Sequence, residues 1–264
     1  MMKKNFRIIL MLIRQKLIRQ MMHKEVFFGG FFVNLSLFIV QLLFFKIIYS
    51  NINVIDGWTQ YQIIFFIGTY NLINNIAMML FYFGINKIPR LIRSGKMDFY
   101  LLKPCNSLLY ISFENFDFSS FPMVMFSIVI IIYAALMENI TLTAQNIILY
   151  LCFLILMCIL YYDLLVLVRC VAFFTIDISG LENVEWSLTE LTMKIPGTAF
   201  KSFFKLLFCI IIPYGLISTV PSYMFFHTVD WNSVILVLII VFVFSAITYF
   251  AWKFSVRHYR SASS

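Results

Sequence analysis

Apolar residues in this chain come in long runs, without the strict alternation of a sheet or the one-sided spacing of a soluble helix. Six runs are legible, at residues 26–49, 62–83, 119–137, 147–176, 203–226 and 234–254. A helix needs about 20 such residues to cross the hydrocarbon core of a bilayer. The pattern predicts an all-α membrane protein with six transmembrane helices. The fourth run is long enough to predict a helix that tilts or projects. The fifth is interrupted by Pro213, Tyr214 and Gly215 and again by Pro221, which predicts a broken fifth span, because proline frees a carbonyl and bends the axis.

The polar breaks carry the orientation. Residues 1–25 hold seven basic side chains, and Phe6, Ile9, Leu10, Ile13 and Leu17 form a stripe opposite Lys4, Arg7 and Arg14. An amphipathic N-terminal interfacial helix is expected there. Between the second and third runs, residues 90–104 read RLIRSGKMDFYLLKP. Just ahead of them Pro89 suits a first helical turn, and Gly95 suits the position past its end. Ile88, Leu91 and Ile92 share one face, with Lys87, Arg90 and Arg93 turned away. A short amphipathic helix on the inner membrane surface is predicted near 86–95. Residues 177–205 mix Asp177, Glu182, Glu185 and Glu190 with Lys194, Lys201 and Lys205, and Leu181, Val184, Leu188 and Leu191 recur at helical steps. This segment is read as a second polar inner segment. With that topology, eighteen of the twenty basic residues fall in inner segments, and the outer loops hold only Asp56, Glu138 and Asp230. Both termini are therefore expected in the cytoplasm. The expected organisation is an interfacial helix over 1–25, a six-span domain over 26–254 and a cytoplasmic tail over 255–264.

Composition supports this class. The chain of 264 residues is 62% hydrophobic and 12% charged, with a mean hydropathy of +0.92. Its formal charge of +8 does not point to nucleic acid, because the basic residues sit at span ends, where topology accounts for them. Abundant Phe, Ile, Asn and Lys fit an AT-rich genome. The five cysteines form no CxxC pair, and the three histidines are far apart, so no metal site is expected. There is no GxxxxGK[ST] loop, so the chain cannot be its own ATP motor, and no HExxH or GxSxG motif marks a catalytic residue. Asn71, Asn74 and Asn75 share one face in the middle of the second span. They either line a path or bond neighbouring helices, since amides facing lipid are costly. Glu114, Asp163 and Arg169 are the candidates for a membrane-embedded lipid-modifying enzyme, an alternative reading beside a structural subunit of a membrane assembly.

Four stretches together resemble the permease subunit of ABC-2-type exporters, in the branch of multidrug and daunorubicin-like systems. They are Ile67-Gly68-Thr69-Tyr70; residues 92–98 with Leu101, Leu102, Lys103, Pro104 and Asn106; Ile211-Ile212-Pro213 followed by Pro221; and the ending from Arg257 to Ala262. Cys105 departs from the small or aliphatic residue usual after the proline. The resemblance implies a multi-pass permease of a bacterial plasma membrane, working as a dimer with the same or a different permease. It implies two copies of an ATP-binding subunit, which would hold the ATP and magnesium. It assigns coupling to that subunit to Ile88, Arg90, Leu91, Ile92, Arg93, Gly95 and Asp98. A translocation path or permease interface would fall at Asn71, Asn74, Asn75, Pro213, Tyr214 and Pro221, with an amphipathic cargo such as a drug, lipid or peptide.

Overall fold

A computed structural model describes residues 24–49, 54–138, 143–175, 177–227 and 230–259, with isolated positions 11, 14 and 18. Nearly all of the expected interfacial helix over 1–25, and the last residues of the tail, lie outside the described residues.

Helix α1 (Lys24–Tyr49) enters the membrane with a 19-residue apolar stretch, Phe31–Tyr49. A two-residue hairpin follows, β1 (Val54–Ile55) against β2 (Trp58–Thr59). Thr59 then starts α2 (Gln60–Ala77) with a capping box: its hydroxyl accepts from the Gln62 amide, and the Gln62 side chain accepts from the Thr59 amide. The Glu138 carboxylate accepts from the Thr59 hydroxyl (2.8 Å) and from Gln62 Nε2 (3.0 Å), which places a negative charge at the positive end of α2.

A π-helical turn (Met78–Tyr82) and α3 (Phe83–Asn86) carry the axis of α2 into α4 (Ile88–Arg93). Gln60–Arg93 is thus one helical run of 34 residues. At 1.5 Å per residue it is about 50 Å long, some 20 Å more than the hydrocarbon core. The predicted helix near 86–95 therefore continues the helical run of the second span, and its last part, α4, forms a stem. Helices α5 (Met97–Leu101) and α6 (Ser107–Glu114) fold back beside it. Helix α7 (Phe121–Met137) returns along α2, and this is the most extensive helix pair.

Helix α8 (Ala144–Cys170) runs on into a 3-10 turn (Val171–Phe173), together 30 residues long, as its apolar length predicts. Helix α12 (Trp231–His258) packs along α8, and Phe173 sits edge-on to Trp252 at its far end. That end is called inner here, since the basic segments gather around it. The buried Asp163 fixes the α8–α12 register by accepting from the Ser245 hydroxyl at 2.6 Å.

Residues 177–205 depart from expectation in two ways. Helix α9 (Ser179–Lys194) starts beside the inner end of α8, but it does not stay there. Gln41 Nε2 of α1 donates to Met193 O (3.3 Å) at its last turn. Just beyond, Trp58 Nε1 donates to Thr198 Oγ1 (2.9 Å). Trp58 belongs to the hairpin on the opposite side, so the segment crosses much of the bundle and is not an inner loop. Its apolar stripe is also split. Leu181 and Val184 are exposed and Leu188 packs against the core, whereas Glu185 and Thr192 are buried. The first half of the helix thus turns apolar side chains outward and a glutamate inward, against the usual amphipathic rule.

After a 3-10 turn (Gly197–Ala199), α10 (Ser202–Leu206) leads into a second π-helical turn (Leu207–Ile211). A 3-10 turn (Pro213–Leu216) and α11 (Thr219–Phe226) complete a pair bent by 82°. Phe225 stacks on Phe65 of α2, at the outer end. Among the described residues five helices are long and apolar enough to cross a membrane, six if the bent pair is one span.

Candidate functional site

A cavity of about 890 Å³ lies between α1, α2, α8 and α9. One wall belongs to α1, where Leu37, Phe38, Val40 and Phe44 are apolar and Asn34 and Gln41 polar. The facing wall belongs to α2 and carries Asn71, Asn74 and Asn75. The three amides reach it together because a spacing of three and four residues keeps them on one side of the helix. Their bonds are mixed. Asn71 Nδ2 donates to Ile67 O (2.9 Å) and to Gln41 Oε1 on α1 (3.5 Å). Asn75 Nδ2 donates to Asn71 O (2.7 Å), and Tyr161 of α8 donates to Asn74 Oδ1 (3.4 Å). Asn71 and Asn74 thus bond neighbouring helices, Asn75 bonds its own, and all three line the cavity.

The inner end of the cavity is ionic. Arg169, 3% exposed, ends α8 there. Its Nη1 pairs with Glu185 of α9, its Nη2 donates to Asn86 Oδ1 of α3, and its Nε lies 3.9 Å from Glu182. Sequence reasoning missed this cluster. The signal was present, because an arginine inside an apolar run demands a counter-charge, and Glu185 sits on the next helix. The cavity opens sideways between α1 and α9, where Leu37, Val40, Phe44 and Trp186 are each more than half exposed.

Pro213, Tyr214 and Pro221 are buried behind this cavity and do not line it. Pro213 opens the 3-10 turn at the bend. The Tyr214 ring meets Tyr161, a cavity residue, with centroids 6.3 Å apart, and its hydroxyl has no hydrogen-bond partner among the described residues.

The stem forms a second candidate region. Ile88, Pro89 and Leu91 of α4 are buried, Ile92 is half-buried, and Arg90 and Arg93 are exposed. The inward residues pack on the 3-10 turn that ends α8. Gly95 takes φ +67°, the left-handed conformation that glycine tolerates, and its amide closes the helix on Ile92 O (3.1 Å). Asp98 lies in the first turn of α5, where the helix dipole favours a carboxylate. Lys87 is not turned to solvent with the arginines. It pairs with Glu114 of α6, which also accepts from the Tyr100 hydroxyl at 2.9 Å. Burial and that bond to Glu114 push the Tyr100 phenol above its ordinary range. Lys103 sits 3.5 Å from the Tyr110 ring centroid. Beside Arg90 and Arg93 the loop exposes two large apolar side chains, Phe99 (70%) and Leu102 (82%).

The structure does not bring Glu114, Asp163 and Arg169 together. Glu114 is held by Lys87, Asp163 by Ser245, and Arg169 by Glu185 and Asn86. Each sits in a different helix junction, so they form no shared acid–base site.

A helical bundle with apolar spans and a cavity of mixed lining between them defines a multi-pass membrane protein. The family model described as ABC-2 family transporter protein matches residues 35–263, and the chain belongs to that family. It is the permease component of an ABC transporter. No curated protein and no solved structure matches the chain.

Proposed function

We propose that this permease is the membrane half of an ATP-driven exporter, that the cavity is its share of the cargo path, and that the stem receives the stroke of a separate ATP-binding subunit. The observation that carries the reading is one cavity lined both by the amides of Asn71, Asn74 and Asn75 and by Leu37, Phe38, Val40 and Phe44 of α1. Such a mixed lining matches an amphipathic cargo, its apolar body on Leu37 and Phe44 and its polar groups on the amides. The lateral opening adds a partner. Amides and carboxylates are costly against lipid, so the opening faces a second permease, the same chain or a related one. Two copies of the ATP-binding subunit, with their ATP and magnesium, then serve the two stems through Arg90, Arg93 and the exposed Phe99 and Leu102. Orientation follows the charge pattern, with stem and both termini in the cytoplasm.

The test is purification of the native complex in mild detergent, mass spectrometry of its subunits and an ATPase assay. A stoichiometric ATP-binding subunit with vanadate-sensitive hydrolysis is expected. A chain that comes away alone under conditions that keep other membrane complexes intact would overturn the reading.

A further inference from the structure

We infer that Arg169 is a positioning residue that ties the stem to the cavity wall, so that movement of one is passed to the other. Three elements meet at its guanidinium. Asn86, bonded to Nη2, is two residues before Ile88, where the stem helix α4 begins. Glu185 and Glu182, reached by Nη1 and Nε, belong to α9, the polar wall of the cavity. Arg169 itself is the last charged residue of α8, four residues before Phe173, on whose turn the stem packs.

The chemistry suits a tie that can shift. A planar guanidinium offers five donors in a fixed fork, so it can hold two helices in one geometry, which a lysine ammonium cannot. A buried ion pair is seldom a net source of stability, because desolvation offsets the attraction; its best-attested use is to hold one arrangement against others. Here Nε has no hydrogen bond among the described residues and stands 3.9 Å from Glu182. A small slide of α9 would bring Glu182 into bonding range of Nε, so the guanidinium can stay paired while α9 shifts relative to α3. The wall that α9 lends to the cavity shifts with it.

Two measurements test this, and the first does not depend on the exporter reading. Spin labels at Arg93→Cys and Trp186→Cys, both exposed, in a background without the five native cysteines, report the distance between α4 and α9 in purified protein. The expected distribution is narrow, broadens in Arg169→Gln, and narrows again in the charge swap Arg169→Glu with Glu185→Arg. The swap keeps one pair, and the Asn86 amide can flip to donate to the new carboxylate. A distribution unmoved by Arg169→Gln, or a swap that does not narrow it, would overturn the tie. The second measurement rests on the exporter reading. In the complex with its ATP-binding subunit, cargo exported per ATP hydrolysed should fall by about tenfold in Arg169→Gln and recover in the swap. An unchanged ratio refutes the transmission role. A wild-type complex without ATP-driven export refutes the exporter reading instead, and the spin-label result still decides the tie.

Discussion

Gly84 gives the sharpest test of how the stem is mounted. It lies in α3, where α6 crosses so closely that a Cβ would stand 2.2 Å from Ser112 O and 2.3 Å from Ile111 O. Carbon and carbonyl oxygen settle at about 3.3–3.6 Å, so Gly84→Ala forces α3 and α6 apart by roughly 1 Å. Overpacking of this kind costs about 1–3 kcal/mol, and the better helix propensity of alanine returns about 0.5–1. A net loss of about 1–2 kcal/mol corresponds to a fall in Tm of about 2–8 °C for a chain of this size. The shift also strains the Lys87–Glu114 pair that joins the two helices. The control is Gly180→Ala in the first turn of α9, where a Cβ would meet nothing within 4 Å. Thermal unfolding in detergent, followed by intrinsic fluorescence, compares the two. Gly84→Ala should melt clearly lower, with Gly180→Ala at or slightly above the wild type. Equal melting temperatures for the two variants would refute the close crossing and the account of the stem that rests on it.

Three further outcomes follow from other contacts. Arg90→Glu with Arg93→Glu should abolish copurification of the ATP-binding subunit while insertion and Tm hold, since both side chains are exposed; normal copurification would remove the stem from the coupling role. Trp58→Ala removes the bond to Thr198 and the ring contacts with Phe66 and Tyr223, at about 3–5 kcal/mol, whereas Trp58→Phe loses chiefly the hydrogen bond, about 1 kcal/mol, and thermal unfolding should separate them in that order. Asp230 caps α12 by accepting from the amides of Asn232 and Ser233, and bonds from Ser233 and Asn232 hold its carboxyl below the ordinary 3.8. Its contribution is therefore full above pH 3.8 and is lost as pH falls through the lower folded value, so the Tm gap between wild type and Asp230→Ala should be open at neutral pH and close in acid.

The spans were legible because length and apolarity set them directly. The runs at 119–137 and 234–254 match α7 and the apolar stretch of α12 closely. The face of α4 was legible too, with Ile88 and Leu91 inward and Arg90 and Arg93 outward. What failed was the environment assumed for a polar segment. Leu181 and Val184 look like a buried stripe if water surrounds the helix, but in a bilayer the apolar face turns out and Glu185 turns in. Trp58 gave no signal because a single residue in a short loop has no periodicity, and its partner Thr198 is 140 positions away. The Lys87–Glu114 pair was hidden for the same reason, as its closeness comes from α6 folding back on α3.

Helix α9 carries Glu182, Glu185, Glu190 and Lys194 within sixteen residues. An acidic or basic side chain at mid-membrane costs about 2.5–3.5 kcal/mol during insertion, so α9 is not a segment that a membrane would accept alone. Its acids become tolerable through partners: Arg169 of α8 for Glu182 and Glu185, and Lys194 of α9 itself for Glu190. The order of assembly is thereby written into the chain. The strongly apolar α8 enters by its own partitioning, and α9 is drawn in afterwards as a client of the helices already in place.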